Sequence, residues 1–201
     1  MKKNIFWIFI FLLTQTGFSQ QENLHKVQIA QDGFNCSFYL DYSTKNDLQI
    51  EDDRTYHWFS GGEIHQNQGG YAGQLLQSVF EKHSLDGKLL ERGMFKNGLK
   101  VGKWKSWDRS GKLIELVNWE DGLKDGKYWS QDVLLNQVTT AEYKDDLLNG
   151  KYIVSSGDSI IEKKKYRNGE LKAKKSKDKK TKAESITVDN EHQKAAAKKE
   201  D

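Results

Sequence analysis

Absences set the first limits on this chain. Its 201 residues include no proline and a single cysteine, Cys36. Without proline no turn is set by a locked φ, so the seventeen glycines must make the turns. A lone cysteine excludes an intrachain disulfide, and the fold must hold by packing. Apolar residues are scarce at 36%, which suits a thin sheet with much exposed surface better than a deep globular core. The one long apolar run, Ile5 to Leu13, is nine residues long and too short to span a bilayer. Catalytic signatures are missing as well. There is no Gly-x-Ser-x-Gly elbow and no glycine-rich loop followed by Lys-Ser or Lys-Thr, and Cys36 has no evident partner base.

The net charge of +3 hides an uneven distribution. Residues 163–182 hold ten lysines and Arg167 against Glu170 and Asp178, a surplus of nine that leaves the rest of the chain acidic. The remainder is therefore not a surface that seeks nucleic acid. At the other end, Lys2-Lys3, the apolar run and the small residues Gly17 and Ser19 read as a signal peptide, residues 1–19, cleaved after Ser19. This predicts an exported protein, periplasmic or secreted, with no transmembrane segment after cleavage. Cys36 lies too far past the cleavage site for amino-terminal lipid attachment.

What is present is a repeat. Asp86-Gly87-Lys88-Leu89, Phe95-Lys96-Asn97-Gly98-Leu99-Lys100 and Gly102-Lys103-Trp104 recur as Ser110-Gly111-Lys112-Leu113, Trp119-Glu120-Asp121-Gly122-Leu123-Lys124 and Gly126-Lys127-Tyr128, always 24 residues on. An eroded earlier copy has Tyr56 and Tyr71 at the aromatic positions and turns at Gly61-Gly62. Later copies carry Tyr128, Tyr143, Gly150 and Tyr152, with Leu135 in place of the turn glycine, and then Gly157, Tyr166 and Gly169. Five units follow, covering residues 56–171. Each reads as a hairpin, with an aromatic opening a strand, a glycine-bearing pair turning it, and a return strand reaching a second aromatic. The pattern predicts Phe95, Trp119, Tyr143 and Tyr166 side by side as a ladder. It also predicts a column of Glu91, Glu115, Thr139 and Glu162, best read as a solvated face paired with neighbouring lysines. One unit alone buries too little to offset the ordering of its backbone, so units must stack.

Residues 20–55 lie outside the repeat. Phe34, Cys36, Phe38, Leu40 and Tyr42 alternate with polar residues, which predicts a strand with one buried face and Cys36 within it. This segment reads as an amino-terminal β cap. In the last strand Lys163 and Lys165 stand where earlier strands have residues such as Met94 and Leu116, a device that blocks edge-to-edge pairing. Residues 172–201 are lysine-rich, lack aromatics, and read as a disordered tail.

These phrases resemble MORN repeats in their bacterial variant, most strongly over residues 80–128. The resemblance implies an all-β, elongated, single-layer antiparallel hairpin meander, a binding or scaffolding role, and no shared catalytic residues. Many bacterial relatives bear an antitoxin-like family label. An export signal departs from a cytoplasmic antitoxin.

The residues left for chemistry are few. His57 and His65 flank the Gly61-Gly62 turn but would point to opposite faces, so no metal or cofactor is expected. Trp58, Trp107 and Trp129 are the candidate anchors for an unidentified protein partner in the envelope or outside the cell. The lysine-rich tail could contact an anionic surface. Without interleaved aromatics it is not suited to nucleic acid. The sequence thus predicts a non-enzymatic protein-binding or scaffolding module. An antitoxin-like or immunity inhibitor is the alternative, with a cell-wall or carbohydrate-active enzyme behind it; the enzyme would need Glu63, Asp86 or Glu115 in a deep pocket. If the export reading holds, terminal mass spectrometry of protein recovered from its native cells finds Gln20 as the first residue; a chain retaining Met1 to Ser19 contradicts it.

Overall fold

The computed structural model describes residues 24–42 and 48–173. The expected signal peptide and the tail beyond residue 173 lie outside the described residues. Every element is a strand: thirteen antiparallel strands form one open sheet, with 71% of the described residues in strand and no helix among them. The all-β meander expected from the repeat is the fold.

The strands β1 (Leu24–Gln31) and β2 (Phe34–Asp41) make the first hairpin, paired from Leu24 opposite Asp41 to Gln31 opposite Phe34. The next two, β3 (Thr55–Ser60) and β4 (Glu63–Gln68), turn at Gly61-Gly62, both at positive φ. They do not continue the sheet in line. β2 pairs directly with β5 (Gln74–Ser84), while β3 touches β5 only at Trp58 opposite Leu75 and Phe59 opposite Gln74. The eroded copy near Tyr56 is therefore displaced from the array it was expected to open.

The physical reason is competition for the edge of β5. That edge is taken by β2, whose Phe38 and Leu40 are fully buried. The hairpin instead sits over one sheet face, with Phe59 and Ile64 packed against a core of Cys36, Phe38, Leu40, Leu76, Phe80, Phe95 and Trp104. The Gln31 amide pins it there, donating to the Ile64 carbonyl at 3.1 Å and accepting from its N–H at 2.8 Å. On the hairpin's far side Tyr56, Leu75 and Leu99 form a second cluster with Leu48, Trp58 and Tyr71. Here the layer is double. Cys36 lies in the first core, as its place in the apolar row of β2 predicted.

Beyond β5 the sheet advances two strands per unit. They are β6 (Leu89–Lys96), β7 (Leu99–Trp107), β8 (Leu113–Glu120), β9 (Leu123–Asp132), β10 (Gln137–Lys144), β11 (Leu147–Ser156), β12 (Ser159–Arg167) and the short β13 (Glu170–Leu171). Gly87 and Gly111 make the turns after β5 and β7 at φ of 83° and 87°. The β9–β10 connection, where Leu135 replaces glycine, gives its left-handed position to Asn136 at φ 50°; the Asp132 carboxylate accepts from the Leu134 and Leu135 amides.

Gly157 turns β11 into β12 at φ 54°, and the four remaining turns beyond β5 are Asn97-Gly98, Asp121-Gly122, Asp145-Asp146 and Asn168-Gly169, with all eight residues between φ 44° and 81°. Two successive positive angles give the turn whose twist matches the flanking strands. The second residue of each donates its N–H back to the preceding unit. Gly98 reaches the Leu76 carbonyl at 2.9 Å, Gly122 that of Lys100 at 3.0 Å, Asp146 that of Lys124 at 3.0 Å and Gly169 that of Leu148 at 2.9 Å. Beside these acceptors the strands bulge. Ser78, Gly102, Gly126 and Gly150 have positive φ and lie opposite Phe95, Trp119, Tyr143 and Tyr166.

The aromatic ladder differs from expectation. Rings meet diagonally within and between units, Phe80 on Phe95 at 5.6 Å, Phe95 on Trp104 at 4.9 Å, Tyr128 on Tyr143 at 5.8 Å and Tyr152 on Tyr166 at 6.1 Å. The cause is spacing. Phe95, Trp119, Tyr143 and Tyr166 lie on alternate strands, so an intervening strand keeps them from stacking in line.

Trp104 lies over Gly93, where a built Cβ would fall 2.1 Å from the indole. Gly93→Ala should therefore destabilise the protein by about 1–3 kcal/mol through overpacking. Gly70→Ala, in open space at an ordinary φ, should change stability by less than about 1 kcal/mol. Urea unfolding of the two variants separates these outcomes.

Candidate functional site

The hairpin β3–β4 creates the concave part of the molecule. Between it and the sheet lies a cavity of about 210 Å³, with His57, Ile64 and Gln66 on the hairpin side. Lys82, Glu91 and Lys100 enter from the sheet, beside Phe80, Phe95 and Trp104, and Asp32 and Cys36 complete the wall. A neighbouring hollow of about 450 Å³ shares His57, Gln66 and Lys100 with it and extends to Trp119, Lys124 and Asp146.

Local chain geometry places each group. The His57 N–H donates to the Gly98 carbonyl at 2.8 Å, and its Nδ1 lies 3.2 Å from the same oxygen. The ring rests on Phe95 with centroids 4.8 Å apart. Gly98 must be glycine twice over, because its φ is +75° and a Cβ would fall 2.6 Å from Leu75 and 2.8 Å from the His57 carbonyl. Lys100 follows two residues later. Its Nζ is 3.3 Å from Glu91 Oε1 and 3.9 Å from the centre of the Trp104 ring. Lys124, its equivalent one unit on, lies among Trp119, Tyr128 and Tyr143 at 5.4–6.0 Å from the ring centres. Lysines thus occupy the spaces between the aromatics on this face.

Electrostatics make the site polar but chemically quiet. Burial, and then the charge of Lys100, push His57 from its ordinary 6.5 down to about 4, outweighing its hydrogen bonds to Gly98, Gln66 and Thr55. The imidazole is neutral at pH 7. Burial also pushes the Cys36 thiol up, with Lys82 only partly opposing it, so the thiol stays protonated and is a poor nucleophile. Lys82 and Lys100 face Glu91 and Asp32, giving balanced charge. Such a pocket can bind a small polar group. It does not bring together a nucleophile, a base and an orienting acid.

The sequence-predicted residues separate into three groups. Glu91, Glu115, Thr139 and Glu162 do form one row, linked across the sheet through Ser106, Ser130 and Val154. Lys100 pairs with Glu91, and Lys164 with Glu162 at 2.5 Å. Glu63, Asp86 and Glu115 line neither hollow. His57 and His65 sit on opposite faces of the hairpin, His65 stacking on Trp58 at 4.4 Å, and no group of three metal-ligating side chains occurs among the described residues.

Trp58 is taken up by packing in the second cluster, and its Nε1–H is enclosed without an acceptor. Trp107 and Trp129 lie elsewhere. Lys105 pairs with Leu116 and Leu116 with Trp129, which puts all three on the face opposite Trp104, Val117 and Tyr128. Trp107 alternates with Ser106 along β7 and shares that outer face. Both rings are half-buried. Lys82, Lys100 and Gln66 escaped the sequence reading. The only signal for Lys100 was its recurrence as Lys124, which a turn motif also explains.

Comparison of the chain with known protein families, with curated proteins and with solved structures gives no match.

The depressed His57 value fixes a pH dependence. Above pH 6.5 folded and unfolded chains both hold a neutral imidazole. Below it the unfolded chain gains a proton that the folded one resists until about pH 4, so His57 lowers stability as pH falls through that window. Denaturation midpoints measured across pH 4–7 should fall less steeply for His57→Gln than for the parent; parallel curves would show that His57 is not held neutral.

Proposed function

We propose that the chain is an exported, non-enzymatic MORN-type repeat protein acting as a protein-binding or scaffolding module in the cell envelope or outside the cell. The observation that carries this reading is the pair Trp107 and Trp129. They share one sheet face with Leu116, and neither belongs to a core cluster among the described residues. Large rings held half-buried in regular strands are already ordered. A partner that covers them gains apolar burial without a large loss of side-chain freedom.

The fold supports the same reading. An open sheet built from near-identical units offers a broad, stiff surface, and the pocket beside His57 has balanced charge and no activated nucleophile. Trp58, committed to packing with Tyr56, Leu75 and Leu99, is not part of the docking face. The lysine-rich tail would supplement the contact by attraction to an anionic surface.

The test compares the mature parent protein with the double variant Trp107→Ala/Trp129→Ala as baits in envelope extract. The double variant should lose the specific partners the parent retains, since each aromatic anchor contributes about 2 kcal/mol or more. Identical recovery by both baits, with the variant's unfolding midpoint unchanged, removes this face as the site.

A further inference from the structure

The last full strand ends the sheet in an unusual way. β13 covers only Tyr166 and Arg167 of β12, and one further bond runs from the Lys172 N–H to the Lys165 carbonyl at 2.8 Å. Because that carbonyl points outward, the alternation of a strand turns the N–H and C=O of Lys163 outward too. Among the described residues nothing pairs with this edge from Ser159 to Lys164.

The side chains along it are an unbalanced set. Lys151 stands directly opposite Lys165, a like-charge pair that costs stability, and Lys163 follows on the same face. No carboxylate among the described residues lies within ion-pair distance of these three, whereas Lys100 and Lys164 each have one and Lys144 has two. Lys151, Lys163, Lys164 and Lys165 line a single hollow of about 650 Å³ together with Leu171 and Lys172. Lys163 and Lys165 project from one face and Lys164 from the other, so a hollow reached by all three lies along the edge itself.

We propose that the outer edge of β12 from Ser159 to Lys164 is a docking site for an extended acidic segment of another protein, which adds as a further antiparallel strand with a carboxylate opposite Lys163 and others within reach of the Lys151 and Lys165 side chains. Main-chain bonds to the free edge give affinity and the lysines give selectivity. The same lysines exclude a second copy of β12, whose lysines would face them. This goes beyond the proposed Trp107 and Trp129 face, since it uses a different surface and states the partner's chemistry. The two readings can fail separately.

The test uses the full chain and a labelled peptide of alternating Glu and Val, followed by fluorescence anisotropy. The parent should bind it, and Lys163→Glu/Lys165→Glu should weaken binding by about tenfold or more, with Lys163→Gln/Lys165→Gln intermediate. A peptide N-methylated at alternate residues, which keeps its charge but loses half its donors, should also bind about tenfold more weakly. Lys179→Glu/Lys180→Glu, in the tail, should leave binding within about twofold. Equal binding of the methylated peptide, or loss with the tail variant and not the edge variant, overturns the proposal. So does tighter, edge-dependent binding to vesicles containing phosphatidylglycerol, which would assign the lysines to a lipid surface.

Discussion

The structure depends on one recurring backbone hydrogen bond, from the second residue of each turn to a carbonyl of the preceding unit. Gly98 to Leu76, Gly122 to Lys100, Asp146 to Lys124 and Gly169 to Leu148 are the same contact repeated along the sheet. The donor sits at positive φ and its acceptor just before a bulge, so the contact links turn geometry to strand curvature. An aromatic ring opposite each bulge covers backbone that is locally short of side chain. A thin sheet has little depth in which to bury apolar groups, and these bonds fix the register between successive units instead.

The hairpin β3–β4 uses that system for another purpose. The Gly98 carbonyl, beside the first of the recurring donors, accepts from His57 and so anchors a second layer at one end of the array. Two consequences follow. Fully buried side chains concentrate there, at Phe38, Leu40, Tyr56 and Leu76, while the later units keep their rings half-covered. The pocket beside the neutral His57 lies under the hairpin. The described residues are therefore asymmetric, packed toward β1–β5 and open toward β12, where Lys151, Lys163 and Lys165 have no carboxylate within ion-pair distance among the described residues.

Much of this was legible in the residues because repetition amplifies weak signals. Asn97-Gly98 and Asp121-Gly122 announce two-residue turns, and the copy at Asp145-Asp146 keeps the geometry without glycine because Asp tolerates the left-handed region. The buried row of β2 was equally clear from its alternation. The candidate site was less legible. Lys100 looks like part of a turn motif, and only its contacts with Glu91 on β6 and with Trp104 further along its own strand reveal that its ammonium is held in a cavity. Trp58 resembles Trp107 and Trp129 in sequence, yet its strand folds inward and theirs do not.

The period, the turns, the strand content and the identity of the aromatic positions are all set within the amino-acid order, because they follow from local φ preferences and from alternation along a single strand. Tertiary structure alone decided which strand takes the edge of β5. That choice sets β2 against β4, the strand an unbroken meander would pair with β5, for one row of backbone donors and acceptors. From it follow the displaced hairpin and the cavity around His57 and Lys100.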